Sequence, residues 1–415
     1  MNARNNFPRH AAQVYAKANA DGLRWLLARP LLGRGFLNSK QNSISLADYG
    51  AEDGLRGPQF TYGWIQGRGL EALVTHAAFF EDSDPGLVEA IDGVARPLYE
   101  LLRELWARDG HAFFCYDRNL QPVVAAVDGS LAAQARNGSV YTYSDIFVLK
   151  GLIAAAVRYD GANLDPYLSS LPALVEAIEA GRFQMNERVP LSEAALGAQE
   201  ADFGPRMILL GAAGMLARIG RPDAATFADR FIAHVLDRHF DARTNLLVDV
   251  PGGGSCNVGH GIEFVGFALD HLPLAADERL IRRLEAILVS SFDAGFHGPG
   301  IRLYVSAADA QPISPYCPWW SLPETIRSAA LSHERTGSPA TLDVWRKAHD
   351  AFFTRYWRGE PAIAYQTLTS EGPVDFVPAT PDLDPGYHTG LSLLAAIQAA
   401  HRLDAVNAIP FSTGV

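Results

Sequence analysis

The sequence of 415 residues contains only three cysteines, no long hydrophobic run and no excess of basic residues. Cys115, Cys256 and Cys317 are widely spaced and odd in number, so they predict neither a disulfide framework nor a cysteine zinc site. The longest apolar run, 207–217, is shorter than the ~20 residues that a membrane-spanning helix needs. The 35 Lys and Arg residues against 46 Asp and Glu residues (net charge −11) argue against nucleic acid and anionic membranes as partners. The N-terminus lacks the apolar segment of a secretory signal, and together these features predict a cytoplasmic protein.

The hydrophobic pattern is helical along nearly the whole chain. Apolar residues recur at helical spacing, and alternating stretches are few. Twelve helices are predicted, at about 8–29, 64–80, 86–109, 141–158, 165–182, 203–220, 222–238, 256–270, 276–295, 318–336, 341–358 and 385–402. Short β-hairpins are predicted in the loops, at 112–117 with 122–127 and at 361–368 with 372–378.

The predicted helices alternate in character. Every second one, such as 209–220 and 259–269, is rich in Gly and Ala and apolar on most faces, whereas the others carry charge on one face. Six buried helices alternating with six half-exposed ones predict an all-α (α/α)6 toroid, in which an inner ring is surrounded by an outer ring. Length alone suggests two or three domains, but this ring uses the chain from 1 to 415 as a single domain, as a monomer or homodimer.

Each predicted inner helix begins with a cluster of aromatic, polar and Gly residues. The clusters are GWIQGR (63–68), YTYSD (141–145), DFGPR (202–206), NVGHGIE (257–263), PWWSLPE (318–324) and GYHTG (386–390). In a toroid these six helix starts meet at one end of the ring, where their free N–H groups favour electron-rich groups. A pocket for a polar ligand is therefore expected at that end.

Two histidines are the candidate catalytic residues. His260 and Glu263 are three residues apart on a predicted helix, so Glu263 can orient or polarise His260. His388 begins the last inner helix, which places it at the same pocket. Two imidazoles across a small pocket suit moving a proton on and off carbon. The alternatives are a satisfied core histidine beside a buried acid for His260, and a surface or N-cap histidine for His388. The sequence has no HExxH zinc spacing, phosphate loop or dinucleotide fingerprint, so neither a metal nor an organic cofactor is predicted.

Other residues of these clusters suit the binding of a sugar. Tryptophan stacks on the apolar face of a pyranose ring, a carboxylate accepts its hydroxyl protons, and an arginine stabilises a carbonyl oxygen or enediolate. For these residues the alternatives are core packing and ordinary ion pairs. Arg206 and Arg68 together would accommodate an acidic group of the sugar; alternatively, Arg206 forms an ion pair with Asp202. The candidates for substrate binding are Trp64, Arg68, Tyr143, Asp145, Arg206, Trp320 and Glu324.

Four of these segments resemble the N-acylglucosamine 2-epimerase superfamily over nearly the whole chain. GWIQGRGLEAL is similar to its WMQAR segment, NVGHGIEFVGFAL to PGHxxEwxwLL, PWWSLPETIRSAALSHERTG to WWxQxEal…yexTG, and Tyr387-His388 to a terminal YH. The resemblance implies that Arg68 binds a substrate oxygen and that His260 and His388 are the acid/base pair, with Glu263 as the partner of His260. The segment at Asp145, where members often have histidine, and the segment 202–206 depart from the family pattern.

The leading hypothesis is a cofactor-independent sugar 2-epimerase or aldose–ketose isomerase acting on a mono- or disaccharide through an enediol. His388 removes the proton at C2, Arg68 stabilises the oxyanion, and His260, oriented by Glu263, returns a proton. One alternative is a glycoside hydrolase or lyase on the same scaffold, with Asp145, Asp202 or Glu324 as acid and base. Another is a toroid that binds a carbohydrate or a partner without catalysis.

Overall fold

The computed structural model describes residues 7–125, 130–136, 138–376 and 380–408. These parts of the chain form fourteen α-helices: α1 Phe7–Leu27, α2 Gly63–Phe80, α3 Pro85–Asp109, α4 Tyr143–Tyr159, α5 Leu164–Leu168, α6 Leu171–Glu179, α7 Glu193–Ala198, α8 Gly204–Arg218, α9 Ala228–Arg238, α10 Val258–His271, α11 Glu278–Gly295, α12 Ser321–Thr336, α13 Pro339–Ala351 and α14 Ser392–Ala408. Short 3₁₀ turns lie at Ala51–Arg56, Gly161–Asn163 and Pro222–Ala225, and π-helical turns at Phe352–Tyr356 and Tyr387–Leu391.

Six of these helices form an inner ring. Helices α2, α4, α8, α10, α12 and α14 pack in that order, and the π-helical turn before α14 closes the ring against α2. The other long helices pack outside them, α1 on α14, α3 on α2, α9 on α8, α11 on α10 and α13 on α12. The prediction of an all-α (α/α)6 toroid is therefore confirmed. All twelve predicted helices are present, although 165–182 is divided into α5 and α6, and 222–238 begins as a 3₁₀ turn.

Helix character follows position in the ring. In the outer helix α11, Ile281, Leu284 and Leu288 are buried while the charged face is exposed, as expected for a helix with one apolar stripe. In the inner ring, α2 and α4 approach so closely that glycine is required. A Cβ on Gly67 would lie 2.5 Å from the Phe147 carbonyl, and one on Gly151 would lie 2.6 Å from the Gly67 carbonyl oxygen. The hydrophobic core fills the space around and between the two rings.

The strands are short and join the loops at the ring's edge. They are β1 Thr61–Tyr62, β2 Cys115–Tyr116, β3 Val123–Ala125, β4 Leu131–Ala133, β5 Tyr141–Thr142, β6 Phe183–Gln184, β7 Phe240–Asp241, β8 Leu246–Leu247, β9 Ser255–Cys256, β10 Phe296–His297, β11 Gly300–Ile301, β12 Val305–Ser306, β13 Cys317–Pro318, β14 Thr367–Thr369 and β15 Gly372–Pro373. Among the described strands only the pair of β5 with β6 is parallel. The antiparallel pairs are β1 with β2, β3 with β4, β7 with β8, β9 with β12, β10 with β11, β13 with β14, and β14 with β15.

One of the two predicted hairpins is found. Strands β14 and β15 form the second hairpin, whose last residues, 377 and 378, lie outside the described ranges. The first predicted hairpin is found in part: among the described residues one antiparallel bridge, between Tyr116 and Pro122, joins its two segments, whereas β2 otherwise pairs with β1 and β3 with β4. Residues 126 and 127 of that prediction also lie outside the described ranges.

The strands direct the inner helices to one end of the ring. Helices α2 and α4 begin immediately after β1 and β5, and α10 and α12 begin within a few residues of β9 and β13. The starts of these helices and the loops before them therefore meet on the same face. No described helix is both long enough and apolar enough to cross a bilayer.

Candidate active site

A cavity of about 500 Å³ lies at the face where the inner helices begin. Seven of the ten predicted site residues line it: Trp64, Arg68, Tyr143, His260, Glu263, Trp320 and His388. Residues from loops complete the lining, among them Phe114, Glu187, Leu303, Trp319 and Asp382. A cavity of this size with aromatic walls and a few polar groups suits a small polar ligand such as a sugar.

His388 is held by the turn on which it lies and by a buried carboxylate. The turn is capped by Asp384, whose carboxylate accepts hydrogen bonds from the backbone N–H groups of Tyr387, His388 and Thr389 at 2.8–3.2 Å. On the side chain, His388 Nδ1 lies 2.9 Å from Glu324 Oε1. An ionised carboxylate can only accept, so Nδ1 carries the proton and Nε2 keeps its lone pair. His388 is therefore oriented as a base.

The charges around Glu324 keep it ionised. Burial by itself raises its pKa, but the Arg327 guanidinium, at 3.0 Å, and the His388 hydrogen bond outweigh burial, and the pKa lies below its ordinary value. The nearby Glu263 shows the opposite shift, because burial and the Glu324 charge raise its pKa. Burial also lowers the pKa of His388, and the hydrogen bond to Glu324 offsets only part of this effect. At neutral pH the site therefore combines a neutral His388 with one ionised carboxylate beneath it.

His260 lies in the first turn of α10, next to the Trp320 indole. Asn257 caps this helix by accepting from the His260 backbone N–H at 3.2 Å. The indole fits there because residue 259 is glycine; the Cβ of any other residue at this position would lie 2.6 Å from the Trp320 ring. The ring centroids of His260 and His388 lie 5.4 Å and 5.8 Å from that of Trp320. Burial, together with the neighbouring His388, lowers the pKa of His260 to about 4, so it is a neutral base at pH 7.

The predicted partnership of Glu263 with His260 is not found. Glu263 Oε1 lies 3.9 Å from His388 Nδ1, and no hydrogen bond joins it to His260 among the described residues. The i, i+3 spacing puts both side chains at the cavity, but the imidazole nitrogen that approaches the Glu263 carboxylate belongs to His388. The sequence could not show this, because His388 lies far from Glu263 along the chain.

Arg68 is a buried cation enclosed by aromatic rings. Its Cζ lies 4.0 Å from the ring centroid of Phe147 and 5.3 Å from those of Trp64 and Tyr387. No carboxylate of the described residues lies within ion-pair distance of it, and its buried Nε has no hydrogen-bond partner. Burial lowers its pKa, yet a guanidinium stays charged at neutral pH. The alternative of an ordinary ion pair therefore fails, and the charge of Arg68 is available to a ligand.

Glu187 is a site residue that sequence reasoning missed. It accepts hydrogen bonds from Trp64 Nε1 at 2.6 Å, from the Ser144 backbone N–H at 3.0 Å and from the Ser144 hydroxyl at 2.7 Å. Burial raises the pKa of Glu187 to about 7 even though these donors favour the charged form. It lies in a loop after β6, outside every helix-start cluster, so no spacing in the sequence marks it.

Three predicted substrate-binding residues do not line the cavity. Asp145 is fully buried, and its carboxylate pairs with Arg136 at 2.9 Å and 3.0 Å and accepts from the Thr142 backbone N–H. Burial raises its pKa, but Arg136 and His111 reverse this effect and bring it to about 2. Asp145 therefore caps α4 and holds Arg136 and Thr142, which is a correction of its predicted role.

The other two corrections concern Glu324 and Arg206. Glu324 lies under His388, to which it is hydrogen-bonded, and does not reach the cavity. Arg206 leans over the Phe231 ring at 5.8 Å and makes no ion pair with Asp202 within the described chain. Asp202 instead accepts from the Gly204 backbone N–H at 2.6 Å, and burial raises its pKa to about 6. It does not line the cavity either.

The donor atoms of Glu263, Glu324 and His388 lie within 4.8 Å of one another, which is close enough to share a metal ion. The chemistry of the set does not favour one, because Glu324 is already bound to His388 Nδ1 and lies beside the Arg327 guanidinium. Both would have to move before the carboxylate could bind a cation.

The fold is shared with solved sugar-converting enzymes. Cellobiose 2-epimerase from Bacillus thermoamylovorans B4167 has a TM-score of 0.70 and 15% identity, over 96% of this chain and 100% of that chain. A D-mannose isomerase has a TM-score of 0.69 and 11% identity, over 93% of this chain and 97% of that chain. The chain has the fold of the sugar epimerases. The resemblance noted in the sequence is thereby confirmed for the fold.

Weaker likenesses extend to other enzymes of the same architecture. A family 76 glycoside hydrolase (mannosidase) from Bacteroides thetaiotaomicron VPI-5482 has a TM-score of 0.52 and 11% identity, over 94% of this chain and 99% of that chain. No protein-family model and no curated protein matches the sequence. At these identities the epimerase fold is established by the likeness, and function is argued from the residues of the cavity.

Proposed function

We propose that the protein is a sugar isomerase that moves a proton at the carbon next to the carbonyl, as a 2-epimerase or an aldose–ketose isomerase. The observation that carries the proposal is that Arg68, a buried cation with no ion-pair partner among the described residues, lines one cavity together with two histidines, His388 and His260. This set matches the needs of an enediolate reaction, which are a base for the C–H proton, a positive charge for the developing oxyanion and a group that returns a proton.

The reaction begins with an open-chain aldose in the cavity. His388 Nε2 takes the proton from C2, the electron pair forms the C1=C2 bond of the enediolate, and the charge on O1 is stabilised by Arg68. The Glu324 carboxylate stabilises the imidazolium that forms, because it accepts from Nδ1. Trp320, against which both histidines pack, offers an apolar face for the carbon chain of the sugar.

The fate of the proton distinguishes the two reactions. If a His260 imidazolium protonates C2 from the opposite face, the product is the 2-epimer. If the proton goes to C1 instead, while O1 gains a proton and O2 loses one, the product is the ketose. Because burial brings its pKa to about 4, His260 gives up a proton readily once it has received one from solvent.

Exchange of carbon-bound hydrogen with solvent tests the proposal. The purified protein is incubated in D₂O with aldoses, ketoses, N-acetylhexosamines, uronic acids and disaccharides, and the products are followed by NMR. Deuterium at C2 or C1 of an isomer of unchanged carbon skeleton is the expected result. We expect His388→Ala and His260→Ala to slow the exchange roughly 10²-fold or more.

Other products would overturn the proposal. Release of two sugars from a disaccharide, or formation of an unsaturated sugar, would establish the hydrolase or lyase alternative. A sugar that raises the melting temperature but is never converted would indicate a binding protein. Near-wild-type turnover in either alanine variant would remove that histidine from the mechanism.

A further inference from the structure

A buried ammonium group contacts the residue that precedes His388. Lys150 lies on α4, two turns beyond Tyr143, and is 1% exposed. Its Nζ donates a hydrogen bond to Tyr387 Oη at 2.7 Å and lies 3.1 Å from Glu71 Oε2. These three residues lie outside the lining of the main cavity and face a separate small cavity of about 40 Å³ between the inner helices. Lys150 therefore contacts no ligand in the proposed site.

Tyr387 connects this group to the proposed chemistry. Its ring centroid lies 5.3 Å from Arg68 Cζ and 5.2 Å from the His388 ring, at right angles to that ring. Its only hydrogen-bonded anchor beyond the backbone, among the described residues, is the amine of Lys150. The position of the Tyr387 ring thus depends on a contact on the side away from the substrate.

Arg68 needs such support because no hydrogen bond or ion pair from the described part of the chain holds it. Its guanidinium is placed by the rings of Trp64, Phe147 and Tyr387. The Trp64 ring is fixed by the hydrogen bond from its Nε1 to Glu187. Lys150 gives the Tyr387 ring the equivalent anchor, so two of the three rings around Arg68 are fixed at their polar edges.

We propose that Lys150 is a positioning residue, which holds the Tyr387 hydroxyl and thereby keeps Arg68 and His388 in the geometry that proton transfer requires. The catalytic part of this inference rests on the proposed function. A misplacement of about 1 Å at such groups costs on the order of 10²-fold in rate, so one buried hydrogen bond has a large effect. The competing explanation is a purely structural Lys150–Glu71 ion pair that stabilises the contact between α2 and α4.

Two variants separate these explanations. Tyr387→Phe removes the hydroxyl that Lys150 holds and leaves every charge in place. The double variant Lys150→Met with Glu71→Gln removes the ion pair without changing the net charge. Tyr15→Phe is the matched control, because it deletes another fully buried tyrosine hydroxyl, which accepts from Trp345 Nε1 at 2.9 Å outside the inner ring.

The pKa of His388, followed by NMR on histidine-labelled protein and assigned with His388→Asn, is a readout that needs no substrate. Arg68 lowers the pKa of His388 through its charge. If Arg68 moves away when Tyr387 is released, the pKa of His388 rises in Tyr387→Phe and in the double variant, and stays constant in Tyr15→Phe. In the exchange assay, kcat falls roughly 10- to 100-fold in both site variants while KM changes little.

The inference is overturned if both variants only lower the melting temperature, as Tyr15→Phe does, and leave the pKa of His388 and kcat at wild-type values. Absence of any proton exchange by the wild-type protein contradicts the proposed function instead. In that case a raised His388 pKa in the two variants still supports the placement of Arg68 and His388 by Lys150.

Discussion

Replacing Asp145 with asparagine should destabilise the protein by about 2–4 kcal/mol and leave the proposed chemistry intact. Asp145 is fully buried, and its carboxylate takes both arms of Arg136. Asparagine keeps an oxygen for the Thr142 backbone N–H but cannot neutralise the guanidinium. The variant therefore leaves a buried charge without its partner.

The magnitude follows from the pKa and from the pair. A pKa that falls from 3.8 to about 2 on folding corresponds to about 2.4 kcal/mol of stability at neutral pH, at ~1.36 kcal/mol per pH unit. In other proteins, removing one partner of a buried ion pair lowers the free energy of unfolding by about 3–5 kcal/mol, which gives the upper part of the expected range. Because the folded pKa of Asp145 is lowered, its contribution is complete above pH 3.8 and is lost as the pH falls through 2.

Urea unfolding of wild type and Asp145→Asn at several pH values tests this reasoning. The difference in unfolding free energy between them should be about 1 kcal/mol smaller at pH 3 than at pH 7. Asp343→Asn is the control, because its ion pair with Lys347 is exposed on both sides and contributes at most about 0.5 kcal/mol. An Asp145→Asn protein of wild-type stability that no longer binds or converts sugar would refute the structural role and restore the predicted contact with substrate.

Four further outcomes are expected of the site. The lowered pKa of His388 places the acid limb of kcat/KM below pH 6.5, and a midpoint above pH 7 would contradict its role as a neutral base. Glu324→Gln keeps the shape but no longer fixes the Nδ1 proton, so kcat falls roughly 10²-fold or more with KM little changed. Glu187→Gln loosens Trp64, and we expect a higher KM and a smaller loss of kcat than in the Glu324 variant. Treatment with a chelator should leave the rate unchanged; a loss that added metal restores would assign a metal to the carboxylates beside His388.

The (α/α)6 toroid could be predicted because the sequence pattern that produces it lies within each helix. Helical periodicity, Gly-rich inner helices such as α10 and charged outer helices such as α11 are properties of neighbouring residues, and they determine which face is buried. The helix-start clusters marked His260, His388 and Arg68 for the same reason. These residues lie at fixed places in their own helices, and the toroid brings those places together.

The partners of these residues could not be predicted, because they come from distant parts of the chain. Glu263 and His260 share a helix face, yet the carboxylate that holds a histidine is Glu324, and the histidine is His388. Asp382 lines the cavity and forms an ion pair at 2.8 Å with Lys40, which is more than three hundred residues away along the chain. Asp145 was assigned to substrate because of its place in a cluster, whereas its geometry is that of a helix cap. Spacing along the chain shows which residues are near the cavity and does not show which atoms meet.

The close approach of α2 and α4 has a consequence for how the substrate range of such a protein can change. A larger side chain at Gly67 or Gly151 would displace a backbone carbonyl of the neighbouring helix. Substitutions at the contact between α2 and α4 therefore cannot be used to reshape the cavity. Phe114, Glu187 and Leu303 line the cavity from loops, where changes of sequence and length are tolerated better than between packed helices. A protein of this kind is therefore expected to acquire new substrates by remodelling its loops, while α2, which carries Arg68, and α4 keep their positions.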